Sequence, residues 1–217
     1  MDFHENAEHF LHDIRYRTKV MLYLSFALNL FYALIKLTLG IWGNTVWDVV
    51  LALYYMALAL MRFVVLRTAR NTEFGAFIDG EYRIYRFVGA VLFFLNLLLS
   101  VMVAAYLRRE VSYNYSLTRL IIMAAYSFWK IISATVAVVR SPRQHSPLYS
   151  SAKNISLAAA LVSMLSLEEA MLESFSTDPA FRDTMVGVTG FVASLILIAL
   201  SIYMITRATL FLRRRKG

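Results

Sequence analysis

Apolar residues dominate the chain after Lys19 in six long stretches separated by short polar connections. We place them near 20–41, 46–66, 86–107, 118–139, 153–174 and 185–208. Each is close to the roughly 20 residues that an α-helix needs to cross a hydrocarbon core about 30 Å thick. The third and sixth are the clearest, because no charged residue occurs from Phe87 to Leu107 or from Thr184 to Thr206. The pattern predicts an all-α membrane protein, a bundle of six transmembrane helices, with a 3+3 arrangement of two halves as one way to group them.

The two ends of the chain have their own patterns. Residues 1–19 lack the features of a secretory signal. The spacing of Phe3, Phe10, Leu11 and Ile14 suits an amphipathic helix on the membrane surface, with a solvated tail as the alternative. The chain closes on LFLRRRKG. We therefore expect a cytoplasmic amphipathic segment over 1–19, a transmembrane domain over 20–208 and a basic cytoplasmic tail over 209–217.

Composition supports the membrane assignment. The 217 residues are 59% hydrophobic and 17% charged, which excludes an ordinary soluble domain. There is no cysteine, so disulfides, zinc-thiolate sites and thiol catalysis are excluded. The formal net charge is +8, and its meaning depends on where the basic residues lie along the chain.

The positions of Lys and Arg give the orientation. An even number of crossings puts both termini on one side of the membrane, and cytoplasmic loops carry the excess of Lys and Arg. With both termini cytoplasmic, sixteen of the 22 basic residues lie inside, four lie outside and two lie within the membrane. We therefore expect a multi-pass protein of the plasma membrane that contacts a lipid bilayer with an anionic inner leaflet. Nucleic acid is not an expected partner.

Two ionisable residues flank the first predicted connection. Charged groups at membrane depth are costly, and each needs a partner or a route to water. Lys36 and Asp48 could pair across the hairpin LGIWGNTVW. The alternative is that Lys36 extends to the interface beside Trp42 and Trp47.

Lys130 lies near the middle of the fourth segment, where its ammonium is farthest from water. Glu168 and Glu169, in the fifth segment, are its natural counter-charges. One of them could neutralise Lys130 while the other stays available to a cation or a proton. The alternative is that the fifth crossing ends early, so that both glutamates face solvent in an acidic outer loop that reaches Asp183.

Other polar residues fall at membrane depth. Ser156, Ser163 and Ser166 recur at helical spacing, which is typical of close helix packing, with a polar pathway as a second interpretation. Tyr54 lies in the middle of the second segment, and its hydroxyl needs a hydrogen-bond partner, although core packing explains its ring.

No motif of a known catalytic site occurs, and all four histidines lie outside the crossings. We expect no enzyme activity, no cofactor and no metal site.

The stretch NLFYALIKLTLGIWGNTVWDVVLALYYMALALMR, with Lys36 and Gly40, resembles the first two crossings of the cation diffusion facilitators. The stretch SPLYSSAKNISLAAALVS, at 146–163, is similar to their fifth helix and the loop before it. The resemblance implies six crossings with cytoplasmic ends. Where that family carries metal ligands this chain has Leu51, Tyr54 and Leu58 on the second helix, and Lys153 and Leu157 on the fifth. Leucine cannot bind a metal and lysine repels one, so the resemblance implies no zinc site.

Phrases such as NLFYALIKLTLGIW and LYYMALALMRFVVLR are similar to a group of uncharacterised six-crossing membrane proteins from Gram-positive bacteria. That resemblance implies the architecture and a bacterial plasma membrane, and no activity.

Our leading hypothesis is a transporter-like bundle that moves a small ion or solute by way of Lys130, Glu168 and Glu169, with Lys36 and Asp48 nearer the outer face. The alternative is a membrane scaffold or accessory subunit that transports nothing. A second copy of the chain, in a homodimer, is a further expected partner.

Overall fold

A computed structural model describes residues 14–43, 46–71, 78–107, 116–139 and 146–215, and the structural statements below concern these residues. They form six α-helices and no strand. The helices are α1 (Ile14–Trp42), α2 (Val46–Asn71), α3 (Ile78–Tyr106), α4 (Leu117–Val139), α5 (Pro147–Phe175) and α6 (Pro179–Arg214). Each is long and apolar enough to cross a membrane. The prediction of an all-α protein with six membrane-spanning helices is confirmed.

The helix ends depart from the predicted segments where local capping decides them. α6 begins at Pro179, six residues before the predicted start, because the Asp178 side chain accepts a hydrogen bond from the Ala180 backbone N–H at 3.0 Å. Proline suits the first turn, where its missing N–H costs nothing. At the other end α6 continues to Arg214, so most of the predicted basic tail is helical. Of the predicted segment 1–19, residues 14–19 begin α1 and residues 1–13 lie outside the described part.

Packing divides the chain into two units, residues 1–77 and residues 78–217. The first unit contains α1 and α2, and the second contains α3 to α6. The helices are thus grouped as two and four by their packing, which does not reproduce the expected 3+3 grouping.

In the first unit, α1 and α2 pack as an antiparallel hairpin. Gly40 allows the close approach, because a Cβ at this position would lie 2.8 Å from a methyl group of Val49. Farther along the hairpin, the rings of Tyr32 and Tyr55 meet edge to face with centroids 4.9 Å apart. Small residues and aromatic edges thus close this helix pair.

In the second unit, α5 is the helix with the most neighbours. It packs against α3, α4 and α6, while α3 also packs against α6. The α3–α6 pair is antiparallel and close, since a Cβ added to Gly89 or Gly190 would lie 2.9 Å from the side chains of Met204 or Val103. Because α5 contacts three helices, five of its polar side chains are buried: Ser151, Ser163, Ser166, Glu169 and Glu173.

Candidate functional site

Lys36 and Asp48 form a buried ion pair in the first unit. The Lys36 Nζ atom donates to Asp48 Oδ1 at 2.6 Å, and the two side chains are 2% and 5% exposed. The short connection between α1 and α2 brings the end of one helix beside the start of the next, which places these residues together. Pairing across the hairpin is confirmed, and the alternative in which Lys36 extends to the interface is wrong.

Tyr54 is buried on α2, and its hydroxyl has no hydrogen-bond partner among the described residues. Its ring lies 6.3 Å from that of Tyr55, near perpendicular. Leu51 and Leu58, which share a face of α2 with Tyr54, are also buried. This face is therefore packed with apolar groups.

Lys130 is buried in the second unit, on α4, with 2% of its surface exposed. Its Nζ atom lies over the ring of Tyr126, 5.1 Å from the centroid. A cation over the face of an aromatic ring is attracted to it, more strongly when water is excluded. The Lys130 side chain therefore extends toward the N-terminal end of α4.

The register of α4 against α5 determines what lies in that direction. Ser127 Oγ donates to the Ser163 carbonyl oxygen at 2.8 Å, and Leu120 packs in one cluster with Ala170. This antiparallel register separates the Cα atoms of Lys130 and Glu169 by about 13 Å along the bundle, at 1.5 Å per residue. Side chains lean toward the N-terminus of their own helix, so in an antiparallel pair these two charges lean toward each other.

Glu168 and Glu169 point in different directions, because neighbouring residues on a helix are about 100° apart. Glu168 is half-buried and faces Thr189 on α6. Glu169 is fully buried and lies close enough to the Tyr106 hydroxyl of α3 to affect its ionisation. The structure therefore does not bring the two glutamates to one site. α5 continues to Phe175, so the helix does not end before either glutamate.

Glu173, one turn after Glu169, joins three helices. Its carboxylate accepts a hydrogen bond from the Tyr106 hydroxyl at 3.3 Å and lies 2.9 Å from Nη1 of Arg182 on α6. The Tyr106 hydroxyl is the donor in this contact and the Glu173 carboxylate is the acceptor.

Ser166 completes a polar stripe on α5. We call Ser163, Ser166, Glu169 and Glu173 the polar face of α5, because their spacing of three, three and four places them on one side of the helix. All four residues are buried. Ser163 donates to the Ala160 carbonyl of its own helix, whereas the Ser166 hydroxyl has no partner among the described residues.

Sequence reasoning missed Tyr106, Glu173 and Arg182. Glu173 follows Glu169 by four residues, a spacing that is a readable signal for a shared helix face. Arg182 lies in the first turn of α6, and only the early start at Pro179 turns it toward α5. Tyr106 comes from α3, and no sequence pattern links that helix to α5.

The fold and the buried charges together are those of an all-helical, multi-pass membrane protein. Among the described residues no group of three or more His, Cys, Asp or Glu side chains could hold a metal ion. Comparison of the sequence found no matching protein family and no matching curated protein. The resemblances to the cation diffusion facilitators and to Gram-positive membrane proteins therefore stay predictions.

Proposed function

We propose that the protein moves a small cation across the membrane by way of the polar face of α5, with Glu169 as the residue that binds it. The observation that carries this proposal is the complete burial of Glu169 within a membrane-spanning helix. A carboxylate at such depth is expensive for a bilayer protein, and residues of this kind typically mark ion pathways and proton relays.

The neighbours of Glu169 favour a hard, singly charged cation. Ser166, Tyr106 and Glu173 offer hydroxyl and carboxylate oxygens, the ligand type of hard cations, rather than the imidazole and thiolate that zinc prefers. Arg182 neutralises Glu173 at 2.9 Å, which limits the negative charge available to a divalent ion. A proton or a monovalent cation is therefore the proposed substrate.

Alternating access is the mechanism that we attach to this proposal. In helical transporters, one group of helices rocks against another around a site near the middle of the membrane. The buried ammonium of Lys130 places a positive charge on α4, on the side of the bundle toward which Glu169 leans. A cation bound at Glu169 would repel this ammonium or displace it.

Flux into proteoliposomes tests the proposal. Purified protein is reconstituted into liposomes, and gradients of H⁺, Na⁺ and K⁺ are applied in turn, each with a dye inside the liposomes that is selective for the ion applied. The comparison is wild type against Glu169→Gln, which keeps the size of the side chain and removes its charge. Glu168→Gln is the matched control, because it makes the same change one residue away on a different face of α5.

We expect Glu169→Gln to reduce flux to the level of protein-free liposomes and Glu168→Gln to retain most of it. Wild-type flux in Glu169→Gln would remove the proposed site. No flux of any of these ions with the wild type would remove the proposed class of function.

The proposed setting is a plasma membrane with both termini in the cytoplasm. It rests on the sixteen-to-four distribution of basic residues. Reporter fusions after Gly217 and within residues 108–115 test it. We expect the fusion after Gly217 to be active only with a reporter that works in the cytoplasm. The fusion within residues 108–115 should be active only with a reporter that works after export.

A scaffold that transports nothing is the second candidate, and the Lys36–Asp48 pair favours it, because that pair neutralises two buried charges within the protein. Copurification of a stoichiometric partner, or of a homodimer that stays intact on dilution, together with absent flux would support this role.

A further inference from the structure

The C-terminal part of α6 extends beyond the membrane core. The helix has 36 residues and is about 54 Å long. Its charge-free run from Thr184 to Thr206 alone covers about 34 Å, enough to cross a hydrocarbon core of about 30 Å. Arg207 is therefore the first charged residue past the core, at the level of the lipid headgroups.

Tyrosines surround the Arg207 guanidinium at this level. Its Nη1 atom donates to the Tyr203 hydroxyl at 3.2 Å, and its Cζ lies 5.9 Å from the centroid of the Tyr203 ring. Tyr82 and Tyr85 of α3 are its other close neighbours, and the hydroxyl of Tyr85 also meets Asn154 of α5. The rings of Tyr82 and Phe211 of α6 stack with their centroids 3.9 Å apart, which holds α3 beside α6 at this level.

No carboxylate neutralises Arg207 within the described part of the chain. Asp79, at this end of α3, pairs with Arg215 at 2.6 Å. Glu81 is buried and accepts a hydrogen bond from Ser146. A cation next to hydrocarbon without a counter-charge is costly, so this group of tyrosines around Arg207 is suited to an anionic ligand.

The exposed side of α6 shows what kind of anion fits. Tyr203, Arg207, Leu210 and Arg214 are all exposed and share one stripe of the helix, at spacings of four, three and four. Arg207 and Arg214 are about 10.5 Å apart along the axis. Leu210 lies between the two charges. The stripe therefore offers basic groups to an anionic headgroup and, at the ring of Tyr203, an apolar surface to a lipid chain.

We propose that Arg207 and Tyr203 bind the phosphate of an anionic phospholipid from the surrounding bilayer, and that Arg214, two turns farther along the stripe, attracts the rest of its headgroup. The planar guanidinium of arginine matches two phosphate oxygens at once. The Tyr203 oxygen accepts the Arg207 N–H, so its own O–H can donate to one of the same two phosphate oxygens. The ring of Tyr203, which lies on the core side of Arg207, contacts the start of the acyl chains.

Native mass spectrometry of the detergent-purified protein tests this site. Bound lipid is counted during titration with phosphatidylglycerol and, separately, with phosphatidylcholine. The variants are Arg207→Gln, Arg214→Gln and Tyr203→Phe. Arg213→Gln is the matched control, because it removes the same charge from the same helix end but lies off the stripe. A thermal melt of each variant checks that it is folded.

We expect Arg207→Gln to weaken phosphatidylglycerol binding about ten-fold or more, the worth of a hydrogen bond to a charged group, and Arg214→Gln to weaken it by less. Arg213→Gln should bind as the wild type does, and phosphatidylcholine should bind more weakly in every case. Tyr203→Phe should weaken phosphatidylglycerol binding less than Arg207→Gln does. If Arg207→Gln does not fold, the losses in Tyr203→Phe and Arg214→Gln test the site in its place.

Two results would overturn the proposal. Equal losses in Arg213→Gln and Arg207→Gln would mean that general charge attraction holds the lipid. Displacement of phosphatidylglycerol by millimolar inorganic phosphate would mean that the site takes the free anion.

Discussion

Replacing Lys36 by methionine removes the ammonium from the buried pair with Asp48 and keeps most of the side-chain volume. The Nζ to Oδ1 distance is 2.6 Å and neither side chain is more than 5% exposed, so water screens the pair poorly. At an effective dielectric constant of about 20, two unit charges at this distance attract by about 6 kcal/mol. Removing one partner of a buried pair typically costs about 3–5 kcal/mol, since the remaining charge stays buried.

Thermal unfolding in detergent measures this cost. At about 2–4 °C per kcal/mol for a chain of this size, Lys36→Met should lower the Tm by about 6–20 °C. Asp48→Asn should do the same for the opposite reason, because it leaves the Lys36 ammonium without its carboxylate. The double variant should lie much closer to wild type than either single variant, since it contains no uncompensated charge.

Arg67→Gln is the matched control, because it removes an exposed charge from α2 of the same unit and should shift stability by no more than about 0.5 kcal/mol. A Tm of Lys36→Met equal to that of Arg67→Gln would contradict the stabilising role of the pair. So would a loss of stability in the double variant equal to the sum of the losses in the two single variants.

Three further changes test the packing of the second unit, each by thermal melting in detergent. Gly190→Val should cost about 1–3 kcal/mol, because a Cβ there would lie 2.9 Å from Val103, and a stable variant would show that α3 and α6 can separate at no cost. Ser127→Ala should cost only about 0.6 kcal/mol, the usual worth of a hydrogen bond between membrane helices, and a loss of several kcal/mol would mean that it does more than bind the α5 carbonyl. Asp178→Ala should cost about 0.5–2 kcal/mol through the lost helix cap, whereas Asp178→Asn, which keeps an acceptor oxygen, should not, so equal losses would contradict the cap.

Local patterns predict the helices and the Lys36–Asp48 pair. The apolar runs determine where helices cross, and a short connection forces the end of α1 beside the start of α2. The direction in which Glu168 and Glu169 point could not be predicted, because it depends on which helices surround α5. The serines could be placed on one helix side, but not the neighbour that each would meet.

The contacts that sequence patterns missed are non-local. Arg182 reaches Glu173 only because Asp178 caps α6 early, and Tyr106 joins them from α3, which ends 67 residues before Glu173 along the chain. The grouping into two and four helices has the same origin, since it follows from how whole helix surfaces fit together. Neither apolar periodicity nor charge counting contains that information.

The central claim is that the polar face of α5 lies on a route open to water. The chain contains no cysteine, so a single Ser166→Cys variant places one thiol on that face without further engineering. The measurement is its rate of reaction with a charged, membrane-impermeant thiol reagent, against Met164→Cys, which is exposed on the surface of the same helix. A transport route predicts that Ser166→Cys reacts, whereas the thiol at position 164 is shielded by lipid. An unreactive Ser166→Cys, in protein shown to be folded and reconstituted, would contradict the account.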